Sequence, residues 1–227
     1  MRPITANGLC ALIALAVLCL AAPVRAGARE RTAAQCPRPR SRILAADPQA
    51  VVYTAPERPQ NPEFLGVYGC SYRAGRSYYL GRVPSTAGTP LSGGGVELET
   101  LAGSMAAYEE ISAGDWVVTV RRLTDGKLVN RAPTGTPAHA QPPRGEGEAV
   151  ADTIGVGPAT AIVVKSDGAV AWIAEADGEG DYQVHALDSG GNRLLAHIDY
   201  DERFSLALAG SLLYWSENGR PMSATLS

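Results

Sequence analysis

Four times along this chain a short apolar run carries an aromatic residue: AVVYTA at Tyr53, MAAYEE at Tyr108, AVAWIA at Trp172 and LLYWSE at Trp215. Each run follows another apolar run and a tight turn, in RILAADPQ, LETLAGS, TAIVVKSDG and SLALAGS, and each precedes an alternating run, in FLGVYGCSYRAG, WVVTVRRLTDG, YQVHALDSGG and MSATLS. The first three units add a fourth run after a glycine turn: SYYLG, KLVNRA and NRLLAH. β-branched and aromatic residues dominate these runs, and no helical 3.6-residue periodicity of useful length appears after residue 26. The repeat therefore predicts strand A, tight turn, strand B, loop, strand C, glycine turn and strand D. The marker aromatics are 55, 64 and 43 residues apart, so it is the loops that vary in length.

Four antiparallel strands in about 40 to 50 residues make one blade of a propeller, a sheet that packs face to face on the next. The expected fold is all-β: a β-propeller-like array of about four antiparallel four-stranded blades over residues 42–227, with units at 42–82, 96–132, 158–197 and 204–227. The last unit stops after strand C, which leaves fifteen strands where four blades need sixteen. The spare chain at residues 28–41 is the candidate for the missing strand, where Pro37 and Pro39 are tolerable at a free outer edge. A closed ring, an open arc and a two-sheet sandwich all accommodate this strand count. The strand C to strand D segments VHALDSGGNRLLA and VTVRRLTDGKLV resemble the repeats of bacterial TolB-like, WD40-like and quinoprotein-like propellers, in which an aspartate and a glycine shape the turn. The arrangement is also similar to uncharacterised secreted repeat proteins of high-GC bacteria. This resemblance implies the blade and transfers no catalytic or cofactor residue.

Residues 1–26 read as a signal peptide. Arg2 leads into an apolar stretch from Gly8 to Leu20, shorter than the roughly 20 residues of a membrane span, and Val24 and Ala26 suit signal peptidase. Cleavage is expected after Ala26, with Ala28 the second choice and an uncleaved anchor the alternative. Residues 27–41 then form a lead-in. The mature chain keeps two cysteines, Cys36 and Cys70, which an oxidising compartment would join as a disulfide. The chain-entropy model values such a link at roughly 3 to 4 kcal/mol. Without Arg2 and Arg25 the net charge is about −5 and no basic stripe is visible, so nucleic acid is not an expected partner. The expected place is secreted or extracytoplasmic, with no stable membrane insertion after cleavage.

Along an antiparallel blade the AB and CD turns share one end, and the BC and DA connections share the other. All the long connections fall at the second end: Pro56 to Pro62, Arg82 to Gly95, Pro133 to Glu148, Ala176 to Asp181 and Ile198 to Arg203. Long loops on a rigid scaffold are where binding concentrates. Asp177, Glu179 and Asp181 alternate with small residues there, and Asp199 and Asp201 follow in the next connection. Oxygens so placed would suit calcium, whereas the absence of a DxDxDG order matches solvated acidic loops. No GxSxG elbow is present, and His185 lies within an alternating strand, as expected of a structural residue. Trp116, Trp172, Trp215, Tyr53 and Tyr108 occupy strand positions expected in the core. The expected function is a binding or scaffolding module with a protein or glycan ligand at the long-loop end. The alternatives are a secreted hydrolase using loop carboxylates and an envelope-associated structural protein.

Overall fold

A computed structural model describes residues 36–57, 63–85, 95–112, 115–135, 157–176 and 180–227. These form four separate antiparallel sheets, each built from strands consecutive in the chain and ordered as they occur. Sheet I holds β1 (Arg42–Ala46), β2 (Ala50–Pro56), β3 (Phe64–Ser71) and β4 (Arg76–Pro84). Sheet II holds β5 (Gly95–Ala102), β6 (Met105–Ser112), β7 (Asp115–Arg122) and β8 (Leu128–Pro133). Sheet III holds β9 (Ala159–Val164), β10 (Val170–Glu175), β11 (Tyr182–Asp188) and β12 (Gly191–Ile198). Sheet IV has three strands, β13 (Ala207–Ala209), β14 (Leu212–Glu217) and β15 (Arg220–Thr225). The outer strands of the four sheets begin and end at residues 42 and 84, 95 and 133, 159 and 198, and 207 and 225.

The alternation of side chains along each strand explains how the sheets pack. In β2, Ala50 and Val52 face sheet II, where they join Val67 and Leu80 against Val96, Ala106, Tyr108 and Leu123. The intervening Val51, Tyr53 and Ala55 face the other way, with Tyr68 and Cys70. In β10, Val170, Trp172 and Ala174 meet Met105, Ala107, Val118 and Val120 of sheet II. Ala171 and Ile173 point instead to Leu213 and Trp215 of sheet IV. A strand buried on both faces has no polar side to show, which is why AVVYTA and AVAWIA read as unbroken apolar runs. Tyr53, Tyr108, Trp172 and Trp215 are all buried, as expected, whereas Trp116 is only half-buried.

The two outer faces of this series differ. On sheet I, Cys36 joins the cluster of Val51, Tyr53, Tyr68 and Cys70. Cys36 and Cys70 are paired as a disulfide with Cα atoms 6.1 Å apart. The Arg38 guanidinium lies 4.2 Å from the centre of the Tyr68 ring. The described part of the lead-in therefore covers sheet I and adds no strand to β15, so the expectation that it completes the last unit fails for residues 36–41. A disulfide to Cys70, the next-to-last residue of β3, ties those residues to sheet I. On sheet IV, Leu212 and Tyr214 alternate with the buried Leu213 and Trp215 and stand 46% and 39% exposed.

The short turns gather at one end and bond across the sheets. Asp47, Asp125, Asp167 and Asp188 each accept the backbone N–H two residues on, at 2.9, 3.2, 3.0 and 2.8 Å. This is the Asx turn, in which a short side-chain carboxylate imitates the turn carbonyl. Asp47 also accepts the Gly103 N–H of sheet II, the Asn130 amide donates to the Gly168 carbonyl of sheet III, and Lys165 donates to the Leu226 carbonyl of sheet IV. Gly126, in the CD turn of sheet II, has φ +75° and lies so close to Tyr78 of sheet I that a Cβ there would fall 2.3 Å from the ring. Turn chemistry thus fixes strand register and the spacing between sheets together.

Candidate functional site

The long-loop end lies opposite these turns. Two of its elements are described in full: the connection 199–206 between sheets III and IV, and the hairpin turn Asn218-Gly219. The turn has φ of 53° and 70° at its two residues, the left-handed pair that Asn-Gly adopts readily in a tight hairpin. The connection contains a single 3₁₀ turn, Tyr200–Glu202. It is held from several sides. The Glu202 carboxylate accepts the N–H groups of Asn218 at 3.0 Å and Gly219 at 2.7 Å. Thr160 Oγ1, on the first strand of sheet III, donates to the Arg203 carbonyl at 2.5 Å, and Ser205 Oγ accepts the Ser216 N–H at 3.0 Å.

On this anchored connection the Arg203 guanidinium lies 3.5 Å from the Tyr200 ring centre and 4.4 Å from that of Phe204. Arg203 Nη1 donates to the Tyr200 carbonyl at 2.6 Å, fixing the side chain against its neighbour. Tyr182, at the start of β11, meets Tyr200 in a T-shaped contact with ring centres 6.0 Å apart. Tyr200 and Phe204 remain 53% and 64% exposed. The result is a planar cation stacked on exposed rings, on a connection tied to two sheets.

The acidic candidates do not gather. Asp181 pairs with His197 at 3.0 Å, both well exposed. Asp199 flanks the 3₁₀ turn without capping it, and Asp201 lies within the turn. Asp177 and Glu179 lie outside the described residues. Among the described residues no three His, Cys, Asp or Glu side chains converge to hold a metal ion.

A carboxyl that the repeat marked only as part of MAAYEE is placed unexpectedly. Glu109 shares the face of β6 with Met105 and Ala107, toward sheet III, and is fully buried. Its Oε1 accepts the Ala159 N–H at 2.6 Å, while Oε2 has no hydrogen-bond partner. Burial, with a smaller contribution from Glu97 on the neighbouring strand, pushes its carboxyl up to about 8 against the pull of that N–H. Close to it, Trp172 Nε1 donates to the Thr134 carbonyl, and Thr134 Oγ1 donates to the Gly157 carbonyl at 3.0 Å. His185 lies flat on Trp172, ring centres 5.2 Å apart, with its imidazole lowered to about 4 by burial and by His197. It is a packed structural histidine, as its strand position suggested.

At the short-turn end a polar cavity of about 350 Å³ is lined by Asn130, Asp167, Ala169, Asp188, Ser189 and Ser227. Its inward carboxylate is already committed: Asp188 accepts Gly190 N–H at 2.8 Å, Ser227 N–H at 2.9 Å and Arg193 Nη2 at 2.5 Å. Burial works against the charge of Asp188, but those donors hold it below the usual carboxylate range.

The residues missed by the sequence reading are Tyr200, Arg203 and Phe204. Their signal was the cluster Tyr-Asp-Glu-Arg-Phe at the end of a connection already assigned to the long-loop end. No protein-family model matches this chain, and neither does any curated protein. Among the described residues no helix is long and apolar enough to cross a membrane.

Proposed function

We propose that this chain is an exported, propeller-like binding or scaffolding module that acts through its long-loop end. The observation that carries this reading is the Tyr200, Arg203 and Phe204 stack. Two large aromatic residues, each more than half exposed, lie on a connection anchored by Glu202, Thr160 and Ser205. Exposed apolar surface on a rigid support marks interaction sites more often than catalytic ones. The reading also rests on what the acids do. Glu109, whose raised carboxyl could serve a hydrolase, is sealed between two sheets and meets no solvent. The four face-to-face sheets with their sequential strands support the propeller-like build, and the Cys36 to Cys70 pair supports an oxidising compartment.

The test compares two double variants for binding to protein and polysaccharide fractions of the producing cell's envelope and medium. Tyr200→Ala with Phe204→Ala alters the long-loop end, and Arg122→Ala with Asp125→Ala alters an exposed ion pair in a short turn. Saturable binding by the native protein should be lost in the first variant and kept in the second. The reverse pattern, or binding indifferent to both, would refute the assignment of the binding end.

A further inference from the structure

We propose that Tyr200, Arg203 and Phe204 form a platform for neutral carbohydrate, on which the apolar faces of sugar rings stack. This rests on the long-loop reading above and adds the class of ligand. The rings are the first argument. Phe204 carries no polar group that would gain from water, yet it is the most exposed of the large hydrophobic side chains described. Its neighbour in the stack is a guanidinium that keeps donors to spare beyond the one bond to the Tyr200 carbonyl. Aromatic rings that stay more than half exposed under the guanidinium, beside its unused donors, match a pyranose, which offers C–H groups on its faces and hydroxyls around its edge.

The charges beside the platform narrow the class. The carboxylates of Asp199 and Asp201 flank Tyr200 and make no hydrogen bond or ion pair among the described residues. Two free acceptors next to free donors suit hydroxyl groups, each of which donates and accepts at once. The same carboxylates, with Glu202 and Asp181 nearby, outnumber the positive charge of Arg203. A phosphate or uronate polymer would meet like charge over the same few residues. Neutral sugars suffer no such penalty. Little conformational freedom is lost on binding, because Glu202 and Thr160 already hold the connection and Tyr182 supports Tyr200 from the side.

Affinity electrophoresis of the full exported protein tests this, in gels containing cellulose ether, β-1,3-glucan, glucomannan, galactomannan or dextran, with polygalacturonate as the charged control. The expected result is retardation by at least one neutral polymer and none by polygalacturonate. Tyr200→Ala with Phe204→Ala should weaken the retardation about tenfold or more, equivalent to about 1.4 kcal/mol. Phe204→Ser alone, at the more exposed ring, provides a second variant with little folding risk. Asp199→Asn with Asp201→Asn should weaken neutral binding and relax the exclusion of polygalacturonate. Four outcomes would overturn the sugar assignment: no retardation by any neutral polymer, retardation unchanged by the ring variants, binding of polygalacturonate alone, or saturable binding of a protein that the ring variants abolish. The last would leave the long-loop reading standing. If the native protein bound neither sugar nor protein in a way that depends on these rings, both readings would fall.

Discussion

Replacing Glu109 by Gln probes the seam between sheets II and III, because it keeps the acceptor for Ala159 N–H and removes the titration. The buried carboxyl moves from its ordinary 4.5 to about 8. The folded protein thus holds a proton that the unfolded chain has released over that interval, and stability falls as pH rises through it. The full shift of roughly 3.5 pH units corresponds to about 5 kcal/mol, at 1.36 kcal/mol per unit. His185 acts in the opposite sense. Its folded value of about 4 lies below the ordinary 6.5, so its contribution is present above 6.5 and lost as pH falls toward 4. Between about 4.5 and 6.5 the two slopes cancel. Above 6.5, of these two groups only Glu109 still titrates, and its contribution alone should cost the native protein about 2 kcal/mol by pH 8. Urea unfolding followed by tryptophan fluorescence, in steps from pH 5 to pH 7.5, should show Glu109→Gln gaining on the native protein by about 1.4 kcal/mol per pH unit. That is about 3 kcal/mol across the range. A difference that stays flat with pH would show that Glu109 reaches water, and would refute the burial argument together with the packing of the seam.

Trp172→Ala removes a fully buried indole, its stack on His185 and its bond to the Thr134 carbonyl, and should cost about 3 to 5 kcal/mol in equilibrium unfolding. Adjacent leucines test which face of sheet IV is open. Leu213→Ala should cost about 2 to 5 kcal/mol, whereas Leu212→Ser, at a half-exposed position, should stay within about 1 kcal/mol. Equal losses at the two positions would mean that the outward face of sheet IV is covered, as in a closed ring.

Strands and turns were legible in the sequence because their causes are local. Alternation along WVVTV and YQVHA, unbroken apolar runs at AVVYTA and AVAWIA, and aspartate or glycine at each short turn determine pairing between consecutive strands. The even pair of cysteines was legible too, because only two lie beyond residue 26. What faces what was decided by the tertiary structure. MAAYEE contains two adjacent glutamates, and nothing local says that Glu109 points into a seam while Glu110 does not. That follows from which side of β6 meets sheet III. Asp181, Asp199 and Asp201 looked like one acidic group along the chain, but in the fold Asp181 turns to His197 and no cluster forms among the described residues. The lead-in, spare by sequence, is drawn to sheet I by a disulfide whose partner sits 34 residues away. Tyr200, Arg203 and Phe204 stack because Glu202 and Thr160 bring a connection against two different sheets. Periodicity records which side of a strand is apolar, since that depends on neighbours two residues apart. It carries no record of the surface that side will meet, which is chosen by contacts between distant segments.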